Sequence, residues 1–309
     1  MADTKVSALT EVSVPDLADD LYLVDDTGPT SYKVGTDRLL GLLPSICDGR
    51  LTLTSGTPVT TADVTAATNV YFTPYVGDRI AIYDGTRWRL YLFAELTLAL
   101  GTLTAALPYD VFIYDNAGTL TLEALAWTNG TTRATALVRQ NGVWCKTGVL
   151  TRRYLGTFYT TATTTTEDSE AARFLFNVSN PVLRRLYKTD ATSHTYNNAT
   201  IRQWNATAAN KVEYVLGQPQ TVIAVGRFDT TAPSTANWID NGLGFDSTTA
   251  YVGGSSVAGL LAATRRHQWS AAGIVPVGVG YRYIAALESS PGAAIVTFDT
   301  YHISGWIMG

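Results

Sequence analysis

Only two cysteines, two methionines and three histidines occur in 309 residues, which leaves little material for thiolate, redox or imidazole-metal chemistry. Cys47 and Cys145 lie in unlike contexts with no CxxC spacing, so both read as reduced, packed thiols rather than a disulfide framework. No HExxH, no zinc-spaced Cys/His set and no GxSxG elbow accompanies His194, His267 or His302, so each reads as a surface or hydrogen-bonded histidine. No catalytic residue, metal or cofactor is therefore expected, and the chain reads as non-enzymatic.

Charge is scarce as well, at 16% of residues against about 25% in ordinary soluble domains. The net charge of -4 comes without clustered Lys and Arg, which excludes a nucleic-acid coat that would have to displace counterions from phosphates. The basic pairs Arg152-Arg153, Arg184-Arg185 and Arg265-Arg266 are scattered and read as solvated or subunit-contact residues. No apolar run reaches the roughly 20 residues a bilayer span needs, so membrane insertion is not expected. The polar opening MADTKVSALT lacks a secretory pattern, which gives the expectation of a chain made in the cytoplasm without an export tag. Long 3.6-residue periodicity is missing too, and with it the basis for a helix bundle.

What is present points to sheet. The chain is 46% hydrophobic and rich in Thr, Ala and Gly; Thr is β-branched and suits strands, and Gly supplies tight turns. Asp84-Gly85 in DRIAIYDGTRWRLYLF, Asn116-Ala117-Gly118 in YDVFIYDNAGTLTLEALAW and Asn141-Gly142 in TRATALVRQNGVWCKTGVL each sit between apolar runs, which predicts three hairpins. The Thr run in TTATTTTEDSE has no apolar face and predicts a loop or extended surface crossing. KVEYVLGQPQTVIAVGRF predicts two strands divided by a turn at Gly217-Gln218-Pro219. GYRYIAALE and AIVTFDTYHISGWIMG alternate as strands, joined by a turn at Gly292, with a bulge or a change of face near Thr300. Glycine clusters at Gly242, Gly253 and Gly278 lack the strand-before, helix-after context of a phosphate loop and read as turns.

The expected fold is all-β: antiparallel, hairpin-rich, jelly-roll-like sandwich domains behind an extended N-terminal segment. One short apolar helix over Leu39 to Leu43 is halted by Pro44. Texture divides the chain into an extended segment over residues 1–50, a β-rich domain over 51–228 and a distal β-rich domain over 229–309.

Two kinds of side chain remain as chemistry. Asp19, Asp20, Asp25 and Asp26 read as solvated turn residues, while Glu123, Asp240, Asp246 and Glu288 are the acids left as candidates to converge across a cleft. Trp204 in IRQWNAT, Trp238 in TANWIDNG and Trp269 in RRHQWSA, with Tyr251, occupy polar or Gly-rich settings. They are candidates for a carbohydrate platform, against the alternative of core or subunit interface.

The stretch KVSALTEVSVPDLADDLYLVDD, followed by SYKV and the Leu-rich turn, resembles the N-terminal attachment module of tailed-bacteriophage fibre proteins over residues 5–43. It departs from that pattern in DDLYLVDD, where Leu21 directly follows Asp20. The following RLTLTSGTPVTTADVTAATNVYFTPYVGDRIAIYDGTRW is similar to a module of phage and prophage structural proteins, and the similarity extends to about Phe228. From Asp229 onward no family is recognised. The resemblance implies a virion protein assembled in the host bacterial cytoplasm, a trimeric fibre or spike on tail or head. Leu9, Leu17, Leu21, Leu23, Val24, Tyr32, Val34, Leu39 and Leu40 would dock it to capsid, neck or tail proteins, and its distal part would meet host-surface glycan. A leader too polar to fold alone fits that role, since contact with a partner offsets the entropy of ordering it. A capsid decoration or cement protein is the first alternative, and a glycan depolymerase spike the second.

Overall fold

The computed structural model describes residues 20–24, 31–35, 43–231, 237–252, 256–291 and 295–309, and these are almost wholly strand and turn. β1 (Asp20–Val24) and β2 (Ser31–Gly35) pair antiparallel, with Leu21 opposite Val34 and Leu23 opposite Tyr32. Five of the expected docking positions thus fall on one hairpin. Leu9, Leu17, Leu39 and Leu40, and with them the expected helical turn up to residue 42, lie outside the described residues.

β3 (Gly49–Thr52), β4 (Val64–Ala67), β5 (Asn69–Pro74), β6 (Arg79–Tyr83), β7 (Trp88–Leu92) and β8 (Leu96–Ala99) follow; β5 runs between β3 and β8 in one antiparallel sheet. β9 (Pro108–Asn116), β10 (Thr119–Ala126), β11 (Leu137–Gln140), β12 (Val143–Lys146) and β13 (Val149–Ala162) complete the first half, with β13 paired to both β9 and β12. All three expected hairpins form, as β6–β7, β9–β10 and β11–β12. Asp84 holds the first turn by accepting the N–H groups of Thr86 and Arg87 at 2.8 Å each. The other two turns carry positive φ at both central positions, Ala117 and Gly118, then Asn141 and Gly142, as primed turns require.

The second half comprises β14 (Thr165–Asp168), β15 (Ala172–Arg173), β16 (Leu175–Asn177), β17 (Leu183–Asp190), β18 (His194–Tyr196) and β19 (Arg202–Gln203), then β20 (Lys211–Thr231), β21 (Asn237–Phe245), β22 (Ser256–Leu261), β23 (Arg266–Ser289) and β24 (Val296–Met308). β20 lies between β23 and β24, β17 pairs the other side of β24, and β21 joins β22 and β23. The fold is all-β and antiparallel apart from a short parallel contact of β15 with β20.

Several sequence expectations are corrected. The Thr run is extended, as strand, turn and strand (β13 to β14), and exposed over residues 161–164, but it is no mere surface crossing, since Thr160 and Thr166 are fully buried. Burial is tolerated because the hydroxyls are bonded: Thr160 Oγ1 donates to the Thr104 carbonyl at 2.7 Å and Thr166 Oγ1 to the Tyr159 carbonyl at 2.6 Å. Gly217-Gln218-Pro219 makes no turn. β20 runs through it, with a register shift between Leu216 and Gln220 that forms a bulge, where Pro219 need not donate to the ladder. Gly242 lies within β21 and Gly278 within β23, also not in turns; Gly253 and Gly292 are outside the described residues. The expected irregularity in β24 is a bulge at Asp299, since Asp229 faces Thr300 while Thr230 faces Phe298. It keeps Phe298 and Tyr301 both in the core.

Two large hydrophobic cores form, one built on Leu51, Val70, Phe72, Val111 and Phe158, the other on Trp204, Tyr214, Val222, Phe228, Phe298 and Tyr301, beside a small third cluster of Ala81, Trp88, Leu90 and Cys145. They part at β16, where Leu175 belongs to the first and its neighbour Phe176 to the second, because adjacent strand residues face opposite ways. The 228/229 division read from texture falls inside β20. Of the basic pairs, Arg185, Arg265 and Arg266 are exposed as expected, whereas Arg153 and Arg184 are buried. Arg153 is buried and donates to the carbonyls of Pro44, Ile46 and Ala81, and Arg184 donates to the Thr60 carbonyl and to Asp168. Cys47 and Cys145 are buried free thiols.

Candidate functional site

The outward side of the β23–β20–β24–β17 sheet is where apolar side chains lack cover. Along β20, Val222, Ala224, Gly226 and Phe228 point into the second core, so Ile223, Val225 and Arg227 must point out. Register then builds rows. Ile274 lies beside Ile223, Ile223 beside Trp306, and Trp306 beside Arg185; in the adjoining row Met308 lies beside Leu183. Ile274 is 68% exposed, Ile223 56% and Trp306 51%, and Leu183, Met308 and Val225 are exposed around them. Four strands at about 4.8 Å spacing make this patch about 15 Å wide. At its polar end Arg185 stacks over the Tyr187 ring at 4.1 Å and pairs with Glu170 at 3.1 Å. Scattered apolar residues on a surface mean little, but six in adjoining register positions form a contact face.

The four aromatic candidates do not form one platform. Trp204 is a core residue: it is fully buried, with its ring against His194, Phe298, Tyr301 and Phe228 at 5.4–5.8 Å. The polar residues around it in IRQWNAT mislead, because Arg202 and the Asn205 N–H turn to the buried carboxylate of Glu288, at 2.8 and 3.2 Å. Trp238 is 52% exposed and lies opposite Leu260. Trp269 instead covers Gly259, on the other face of the β21–β22 pair, where an added Cβ would come within 2.3 Å of its ring, and its Nε1 donates to Thr230 at 3.3 Å. Tyr251 donates its hydroxyl to the Asp240 carbonyl at 2.9 Å, and burial pushes its phenol above the ordinary range.

Nor do Glu123, Asp240, Asp246 and Glu288 meet. Asp246 is held by Arg282 at 2.8 Å, and Glu288 by Arg202 and by His194 Nε2 at 2.6 Å. Glu123 accepts from Lys146 at 2.6 Å and Arg152 at 2.7 Å. Partial burial pushes the Glu123 carboxyl up, but those two hydrogen bonds and the charges behind them outweigh it and bring the group below its ordinary value of 4.5. A depressed carboxyl stabilises the fold above its unfolded pKa and loses that contribution as pH falls through its folded pKa. Glu123→Gln is therefore expected to be less stable than the parent in urea at neutral pH, with the gap closing as pH falls below the ordinary carboxylate range. A gap that stays constant from neutral into acid would contradict the pairing.

Two recesses of about 240 and 360 Å³ flank the β11–β12 hairpin, where Arg139 lies 4.4 Å over the Trp144 ring. A third, of about 320 Å³, opens at the seam between the two halves and is lined by Glu167 and Glu213. Sequence reading missed both acids. Glu167 follows a Thr run read as a loop or surface crossing, and Glu213 lies near the start of β20, whose partner at the seam is distant in sequence. Among the described residues, no group of His, Cys, Asp and Glu has the arrangement to hold a metal ion.

No family model matches the chain, and no curated protein does. Among solved structures, dimeric latent PorU from Porphyromonas gingivalis is similar at 11% identity and a TM-score of 0.28, over 74% of this chain and 19% of that one. The infectious bursal disease virus Gx strain structure is similar at 10% identity and 0.26, over 80% and 65%. The insecticidal delta-endotoxin Cry8Ea1 from Bacillus thuringiensis is similar at 9% identity and 0.21, over 96% and 60%. This chain thus spans less than two thirds of each of these structures, and at such TM-scores none of them decides its fold or its function.

Proposed function

We propose that this chain is a structural component of a bacteriophage particle, a tail or head fibre or spike that assembles as a trimer. Its N-terminal segment anchors it to capsid, neck or tail proteins, and its distal strands, where Trp238 and Leu260 project side by side, meet the host surface. The observation that carries the reading is the row Ile274–Ile223–Trp306, a contiguous apolar face on a sheet whose other side is already packed. Such a face is stable in water when copies cover it for one another, and closing a sheet face against its own copies protects a hairpin-rich chain from open-ended aggregation. The β1–β2 hairpin suits the anchoring role, since two isolated strands gain stability only against something else.

Sedimentation equilibrium of the full chain tests the assembly. A trimer is expected at micromolar concentration, and Ile223→Lys with Ile274→Lys is expected to weaken association by roughly thirtyfold or more while leaving the fold intact, because both side chains point outward. A parent chain that is monomeric at that concentration, or a variant as trimeric as the parent, overturns it. Imaging of intact particles bearing a C-terminal label tests the location, with three copies expected at each labelled position.

A further inference from the structure

The seam between the two halves carries a second feature that assembly does not use. Strand β13 of the first half and strands β14, β17 and β20 of the second border the 320 Å³ cavity. Ala106, Ala171, Ala172 and Ala209 line it, and side chains this small are what keep the space open. Tyr159 and Phe174 form its aromatic wall, with Tyr159 stacked on Tyr281 at 4.7 Å. Ligands favour such junctions between packed units.

Four charged side chains, two of each sign, face the space: Glu167, Glu213, Lys188 and Lys211. One pair is engaged, since Glu213 accepts from Lys211 at 2.8 Å and from the Tyr281 hydroxyl. The other two are not. Glu167 accepts only from Ser169 Oγ, at 2.8 Å, and neither Glu167 nor Lys188 has an ion-pair partner among the described residues. Both line the cavity and, among the described residues, no bond joins them, so an acceptor and a donor there remain for a ligand.

That arrangement selects a ligand chemistry. An anion would meet two carboxylates, a cation two ammonium groups, and a purely apolar molecule would desolvate four charged groups without pairing them. A neutral polyol satisfies both signs, because each hydroxyl donates to carboxylate and accepts from ammonium. We propose that this cavity binds a neutral saccharide unit, with its hydroxyls between Glu167 and Lys188 and a C–H face against Tyr159. Burial, with Glu213, Asp63 and Asp168 nearby, pushes the Glu167 carboxyl above its ordinary value. The saccharide site thus lies at the seam, away from Trp238 and Trp269.

Saturation-transfer difference NMR on the full chain tests this with glucose, galactose, rhamnose and N-acetylglucosamine as neutral probes, glucuronate as an anion and glucosamine as a cation. Transfer to at least one neutral sugar is expected. Ala209→Trp, at an exposed rim position, is expected to abolish it, and Glu167→Gln or Lys188→Met to weaken binding about tenfold. No transfer to any neutral probe, tighter binding of glucuronate or glucosamine, or signals unchanged by Ala209→Trp would each overturn the proposal. Repeating the measurement on the Ile223→Lys, Ile274→Lys chain separates the two readings, because the cavity is expected to bind in that chain whether or not copies associate.

Discussion

Trp204→Ala is expected to lower the unfolding free energy by about 3–5 kcal/mol, read from urea denaturation. The indole sits at the centre of the second core with no exposed atom, and four aromatic rings lie within 6 Å of it, centroid to centroid. Its ring nitrogen has no hydrogen-bond partner, so truncation orphans no other polar group and the loss is one of packing. Collapse into the cavity is resisted on one side by the Tyr301 hydroxyl, fixed to Asn210 Oδ1 at 3.1 Å, and on another by His194, fixed to Glu288. Backbone bonds at the site survive the change, because Asn210 Nδ2 and the Thr207 N–H reach the Trp204 carbonyl rather than the side chain. A surface aromatic replaced by alanine stays within about 0.5 kcal/mol of the parent, so a small loss here would return Trp204 to the list of ligand-facing residues.

Asp110→Ala is expected to cost about 3–5 kcal/mol as well, by a different route. Asp110 is 1% exposed and accepts from Arg133 Nε at 2.7 Å and from Thr157 Oγ1 at 2.7 Å. Arg133 in turn donates to the Gly217 carbonyl inside the β20 bulge and lies 4.4 Å over the Trp127 ring. Removing the carboxylate leaves a largely buried guanidinium without its counter-charge and loosens the bulge it holds. The pair Asp110→Leu with Arg133→Met is expected to recover at least half of the loss, because replacing both ions removes the desolvation penalty along with the attraction. Full additivity of the two single losses in that double-mutant cycle would show that the side chains act independently.

Local chemistry made part of this fold readable. Asp-Gly, Ala-Gly and Asn-Gly at the hairpin tips demand backbone conformations that few residues supply, so residues 84–85, 117–118 and 141–142 announced their turns without reference to anything distant. The β24 bulge was visible for a similar reason, as Phe298 and Tyr301 break a period of two within one strand. The continuity of β20 was not visible, because Pro219 normally ends a strand and the bulge that accommodates it is gripped by Arg133, 84 positions from the Gly217 carbonyl it reaches. The apolar face was hidden by its own partner: VIAVGRF is apolar on both sides of the strand, and alternation gives a period without saying which side is covered. Glu167 and Glu213 come together only through the parallel contact that sets Ala172 beside Glu213, a pairing with no local signature.

The length of β20 has a mechanical consequence. Its hydrogen bonds to β23 and β24 run across the strand, so a pull along the chain loads many of them at once rather than peeling them one by one. Because the same strand runs on past the bulge gripped by Arg133, tension carried along it passes from the second core to the seam without leaving the strand.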